Sequence, residues 1–131
     1  MPWIQGTYFL LTGVWPLVHI RSFIWVTGPK TDHLPTGLEA DHWLVMTAGV
    51  LITAVALALL VAAWSGRHSA EIVTLAIGAS LGLAAIDLIY VSRGVIAPIY
   101  LVDALIQALL IGGWGVALLT EPPRWRSAAR E

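Results

Sequence analysis

Cysteine is missing from all 131 positions, which excludes disulfides, thiolate metal centres and thiol nucleophiles and leaves the redox compartment undetermined. Charge is nearly as scarce. Asp, Glu, Lys and Arg make up 11% of the chain, against about 25% in a soluble domain. The formal net charge is -1 and the seven Lys and Arg residues are scattered, so there is no basic field for a nucleic acid partner. No nucleotide-binding loop, zinc-protease motif or meaningful Ser-His-Asp order is present. The opening MPWIQGTYFLLTG lacks the basic start and the small-residue cleavage site of a signal peptide, and reads as a retained first span.

What the chain has in excess is apolar surface. Apolar residues fill 58% of it and the mean hydropathy is +0.81. A water-soluble chain of 14.1 kDa would have to leave long aliphatic runs exposed. Lipid is the simpler solvent, and about 20 residues of helix cross its hydrocarbon core. The expected fold is therefore all-α: a polytopic membrane protein, an antiparallel bundle of four transmembrane helices forming one domain over 1–131. The spans read as 3–26, 43–64, 70–92 and 95–120, with an outer loop at 27–42 and a cytoplasmic tail at 121–131.

Span two, an uncharged run of roughly 33 Å at 1.5 Å per residue, is the clearest. Pro16 removes a helix hydrogen bond to Thr12 in span one, and a kink is expected there. Pro98 is expected in the first turn of span four, where a missing N–H is harmless. Arg93 and Gly94 would then form the whole of a tight turn between spans three and four. In the long loop, Asp32-His33-Leu34 is echoed by Asp41-His42-Trp43-Leu44.

Basic residues near the span ends set the expected orientation. Arg67, Arg124, Arg126 and Arg130 fall on one side; Lys30, Arg93 and Arg21 fall on the other with Asp32, Glu39 and Asp41. Both termini are thus expected on the cytoplasmic side of the cell (inner) membrane. Trp3, Trp64 and Trp125 mark the inner interface and Trp25 and Trp43 the outer one, while Trp15 and Trp114 fit neither belt.

Ionisable residues within a span are costly and usually face the interior, where they find partners. Gln5, Tyr8, Thr12, Trp15 and His19 follow helical spacing along one face of span one. Tyr100, Asp103 and Gln107 repeat that spacing in span four, with Trp114 a heptad later, and span three adds Ser80, Asp87 and Tyr90. Counting helical rise from the outer end puts Asp87 at roughly 7 Å, Asp103 at roughly 12 Å and His19 at roughly 10 Å. The candidate site is a polar pocket in the outer half, with Asp87 and Asp103 as acids and His19 and an arginine as partners. Arg21, Tyr90, Arg93 and Tyr100 would cap it, and Gln107 would lie a turn deeper. The competing reading is structural: an Asp bonded to Tyr, Gln or Arg on a neighbouring helix holds a bundle together at about 1 kcal/mol per bond, and Arg21 and Arg93 snorkel to the interface. Both readings stay open at this point.

Other signals are weaker. His19 and His42 could ligate haem only if their depths matched, which the spans disfavour. Asp32, His33, Asp41 and His42 have metal-ligand chemistry but read as solvated loop residues, so no metal or other cofactor is expected. Gly78-x-x-x-Gly82 and Gly112, Gly113 and Gly115 read as surfaces for close helix approach, within one protomer or between two.

Trp15-Pro16-Leu17, the stretch Val26-Thr27-Gly28-Pro29-Lys30-Thr31-Asp32, then His42-Trp43-Leu44-Val45 and Ile99-Tyr100-Leu101-Val102-Asp103-Ala104 together resemble a group of small bacterial four-helix integral membrane proteins with no established activity. The resemblance implies the same topology and an insertion between Asp32 and Asp41. It implies nothing on function.

Three classes of function follow from the residues. The first is a non-catalytic accessory or structural membrane subunit, partnered by the lipid bilayer and by its own copies or a larger complex. The second is an oligomeric carrier of a proton, ion or small solute through Asp87 and Asp103. The third is an intramembrane enzyme on a lipid, using an aspartate with His19. The first is the leading expectation.

Overall fold

A computed structural model describes residues 1–28, 42–66 and 69–120. Those residues form four helices: α1, Pro2–Thr27; α2, His42–Trp64; α3, Ala70–Ser92; and α4, Tyr100–Thr120. Each is long and apolar enough to cross a membrane. All are apolar around most of their circumference, as the many outward-facing aliphatic residues show: Val18 is 78% exposed and Leu119 84%. In lipid such surface carries no penalty.

Gly6 faces Ala56 and Leu60, and Gly13 faces Gly49 and Thr53, so α1 and α2 run antiparallel and very close. A Cβ placed on Gly13 would lie 2.8 Å from the Thr53 backbone N and 2.9 Å from the Gly49 carbonyl oxygen. Only glycine permits that separation. The expected close-approach glycines behave differently: among the described residues nothing lies within 4 Å of a would-be Cβ on Gly78, Gly82, Gly112 or Gly115, and Gly113 meets the Met1 side chain. Within this chain, then, the packing glycines are Gly6, Gly13 and Gly49.

α3 pairs with α4, and α2 meets α3 along a shorter stretch. One buried cluster joins Leu59, Val73, Ala76 and Trp114; a second joins Phe9, Ala56 and Leu110. Met1 packs against both.

Local chemistry explains the ends. Ser69 caps α3 by accepting from the Ile72 N–H. At its other end, Gly94 takes a φ of 69°, its N–H donates to Val91 O at 2.9 Å and the Val95 N–H donates to Tyr90 O at 2.9 Å. This paired arrangement is the Schellman closure, and it requires a left-handed residue there. The turn that follows is longer than the expected two residues. α4 begins at Tyr100 rather than near 95, and Pro98 precedes it instead of lying in its first turn. Pro98 steers Ala97 away from helical geometry, so 93–99 all become connection.

The irregularity in α1 also falls later than expected. Pro16 stays buried inside the helix, and the break is at His19, with φ -147° and ψ 76°. His19 acts there as a cap for the segment after it. Its Nδ1 accepts the Ser22 N–H at 3.1 Å, its carbonyl accepts the Ser22 hydroxyl at 3.0 Å, and Trp15 Nε1 bridges the break by donating to Ser22 Oγ at 2.9 Å. The Trp15 and Phe23 rings meet edge-on, with centroids 5.7 Å apart.

Candidate functional site

Two polar layers cross the interior. Gln5, wholly buried, anchors the first: its Nε2 donates to Ala76 O at 2.8 Å and Ser80 Oγ at 3.0 Å, and its Oε1 accepts Trp114 Nε1 at 2.6 Å. Both amide hydrogens and the carbonyl are used, so one side chain of α1 ties down α3 and α4. A saturated buried amide of this kind is structural glue. It also accounts for Trp114, which fitted neither interfacial belt.

The second layer is one turn along α1. The Tyr8 hydroxyl donates to Asp103 Oδ1, joining α1 to α4. Gln107, one turn beyond Asp103 on the same helix, donates from Nε2 to both carboxylate oxygens at 3.4 and 3.3 Å. Those contacts are long and weak. Gln107 is 1% exposed, and its Oε1 accepts no hydrogen bond from any described residue. A buried amide oxygen in that condition is uncommon and calls for a reason.

Asp103 and Gln107 form part of the wall of a cavity of about 510 Å³. It lies toward the end where α1 and α3 finish and α2 and α4 begin. Every helix contributes: Tyr8, Thr12, Trp15, Phe23 and Thr27 from α1; Val45, Ala48 and Ile52 from α2; Leu83, Ile86 and Asp87 from α3; Tyr100 and Ile106 from α4. Ile96 and Ile99 of the connection complete it. Asp87 is 5% exposed. The remaining wall is almost entirely aliphatic and aromatic, and no lysine, arginine or histidine is among the described residues that line it.

The expected site residues therefore divide. Asp87, Asp103, Tyr100 and Gln107 share one cavity. His19, Arg21, Tyr90 and Arg93 are exposed and do not line it; the His19 ring is engaged in capping. Asp32, His33 and Asp41, and the His42 side chain, lie outside the described residues. Among the described residues no group of three His, Cys, Asp or Glu could hold a metal ion. The partner of Asp103 turns out to be Tyr8. Its place on the Gln5-Tyr8-Thr12 face marked it as inward, yet nothing in the linear sequence linked it to an acid 95 positions away.

Chemically, this is an apolar chamber with carboxyl and amide acceptors on its walls; the Tyr8 hydroxyl is committed to Asp103, and those of Thr12 and Thr27 to the carbonyls of Tyr8 and Phe23. Its size falls within the roughly 300–1,000 Å³ of pockets that enclose small organic ligands. The chain matches no family model, no curated protein and no solved structure, so the site is read from its own geometry.

Proposed function

We propose that this chain is a small multi-pass integral membrane protein that binds a small, mostly apolar molecule between its helices. Four helices of membrane-crossing length support an antiparallel transmembrane bundle. The distribution of arginines supports a place in the cell (inner) membrane with both termini cytoplasmic. The observation that carries the binding reading is the cavity of about 510 Å³, apolar except for a few convergent polar groups led by Asp103 and Gln107. Such a chamber admits a ligand from the surrounding lipid, and its acids orient what enters.

The test is direct binding to the full chain in detergent micelles, titrated calorimetrically against empty micelles with biphenylmethanol as probe. Ala48, exposed and on the cavity wall, can be enlarged with little harm to packing. Saturable binding that Ala48→Trp abolishes is expected; partition equal to that of empty micelles would overturn the proposal.

A second reading, an accessory subunit of a larger assembly, is favoured by one observation. The small-residue faces at Gly78 and Gly82 on α3, and at Gly112 and Gly115 on α4, meet none of the described residues within 4 Å of a would-be Cβ. Crosslinking in native membranes, followed by sizing, checks it: a species no larger than one chain would remove this reading.

A further inference from the structure

We infer that the cavity's ligand is a lipophilic amine, held as its ammonium against Asp103; this rests on the binding reading above and narrows its ligand class. The carboxylate of Asp103 is fixed in place by neutral donors, Tyr8 and Gln107. Neutral donors orient a carboxylate without cancelling its charge, so it remains an attractor for a cation in a wall that holds no lysine, arginine or histidine among the described residues. The adjoining Gln107 Oε1 is a buried acceptor to which no described residue donates. Its amide is held to Asp103 only by contacts of 3.3 and 3.4 Å, weak enough to yield to a charged donor. An ammonium seated beside Asp103 offers several N–H groups: one set meets the carboxylate, and another supplies the donor that Gln107 lacks.

The apolar surroundings fit the same ligand. The Tyr8, Trp15, Phe23 and Tyr100 rings are part of the wall, and aromatic faces attract organic cations, more strongly once water is excluded. The aliphatic surface from Ile52, Leu83 and Ile106 takes the hydrocarbon body. Acceptor-only heads are disfavoured. A phosphate or carboxylate would meet Asp103 with like charge and no basic partner, and a ketone would leave both acceptors unanswered.

Three probes of matched shape separate the possibilities: biphenylmethylamine, biphenylmethanol and methylbiphenyl, each titrated into the full chain in neutral detergent at neutral pH. The amine is expected to bind at least about tenfold more tightly than the alcohol, as a desolvated charge pair and an added hydrogen bond require. Asp103→Asn should remove that preference, so that amine and alcohol bind the variant within about threefold of each other. Equal affinities for amine and alcohol would overturn the inference and leave the binding reading standing. Failure of all three probes to bind would overturn both. A preference for the amine that survives Asp103→Asn would refute the assignment to this carboxylate. Should that variant not fold, Gln107→Leu decides: a several-fold loss of amine affinity supports the seat described here, and an unchanged affinity refutes it.

Discussion

Replacing Gly13 by alanine adds one methyl group where α1 and α2 are closest. That carbon would meet Thr53 Oγ1 at 2.6 Å, the Thr53 N at 2.8 Å and the Gly49 carbonyl oxygen at 2.9 Å. Two of the three are backbone atoms and cannot rotate away, so the helices must move apart by roughly half an ångström, and overpacking of this kind costs about 1–3 kcal/mol. Alanine returns about 0.5–1 kcal/mol through its better helix propensity, and because two collisions are with backbone the cost falls in the upper half of that range, which leaves a net loss of about 1–2.5 kcal/mol. The same change at Gly78, with open space around it, retains the propensity gain alone and should be neutral or stabilising by up to about 1 kcal/mol. Thr53→Ala cannot rescue Gly13→Ala fully, because it removes one of the three collisions and leaves the backbone pair. Reversible unfolding of the four proteins in mixed micelles, followed by circular dichroism, measures these differences. The close-approach argument fails if Gly13→Ala is as stable as the parent, or if Gly78→Ala is equally damaging.

Gln5→Leu strands the Trp114 N–H and removes both donations to α3; at about 1 kcal/mol per bond, the expected loss is roughly 2–3 kcal/mol. Ser80→Ala should lose less, since Gln5 keeps Ala76 O, and equal losses in the same unfolding assay would contradict a network centred on Gln5. Because the chain has no cysteine of its own, topology can be read with single substitutions: Ser65→Cys and Val95→Cys, both exposed beyond helix ends, should react with an impermeant thiol reagent from opposite sides of sealed vesicles. Labelling of both from the same side would overturn the transmembrane arrangement.

The polar residues of the interior serve two ends. Gln5 is saturated and holds helices together, whereas Asp103 and Gln107 sit one layer away on a chamber wall, where Gln107 Oε1 accepts from no described residue. Along the sequence the same polar residues are compatible with glue and with a site. Their division reflects how many partners each one reaches, which depends on distances between helices.

Much was nonetheless legible in the residues alone. Long uncharged runs dictate helices of membrane-crossing length, since a helix is the arrangement that satisfies its own backbone without water. Boundaries of the first three helices fall within a residue or so of the expected ones. The helix α4 begins at Tyr100, later than 95, because Pro98 acts before the helix instead of inside it. His19 does not join the cavity wall, because α1 is broken at that residue and its ring caps the segment that follows.

The rotation of each helix about its axis was legible only from polar residues such as Gln5, Asp87 and Gln107, not from hydrophobicity. A soluble helix advertises its inward face by an apolar stripe, but these four are apolar all round, so hydrophobicity leaves their orientation undecided. Tertiary contacts decide it: the approach of Gly13 to Gly49, the three bonds of Gln5, and the reach of Tyr8 to Asp103. Those few contacts select which glycines are buried, which acids share a cavity and which residues face outward.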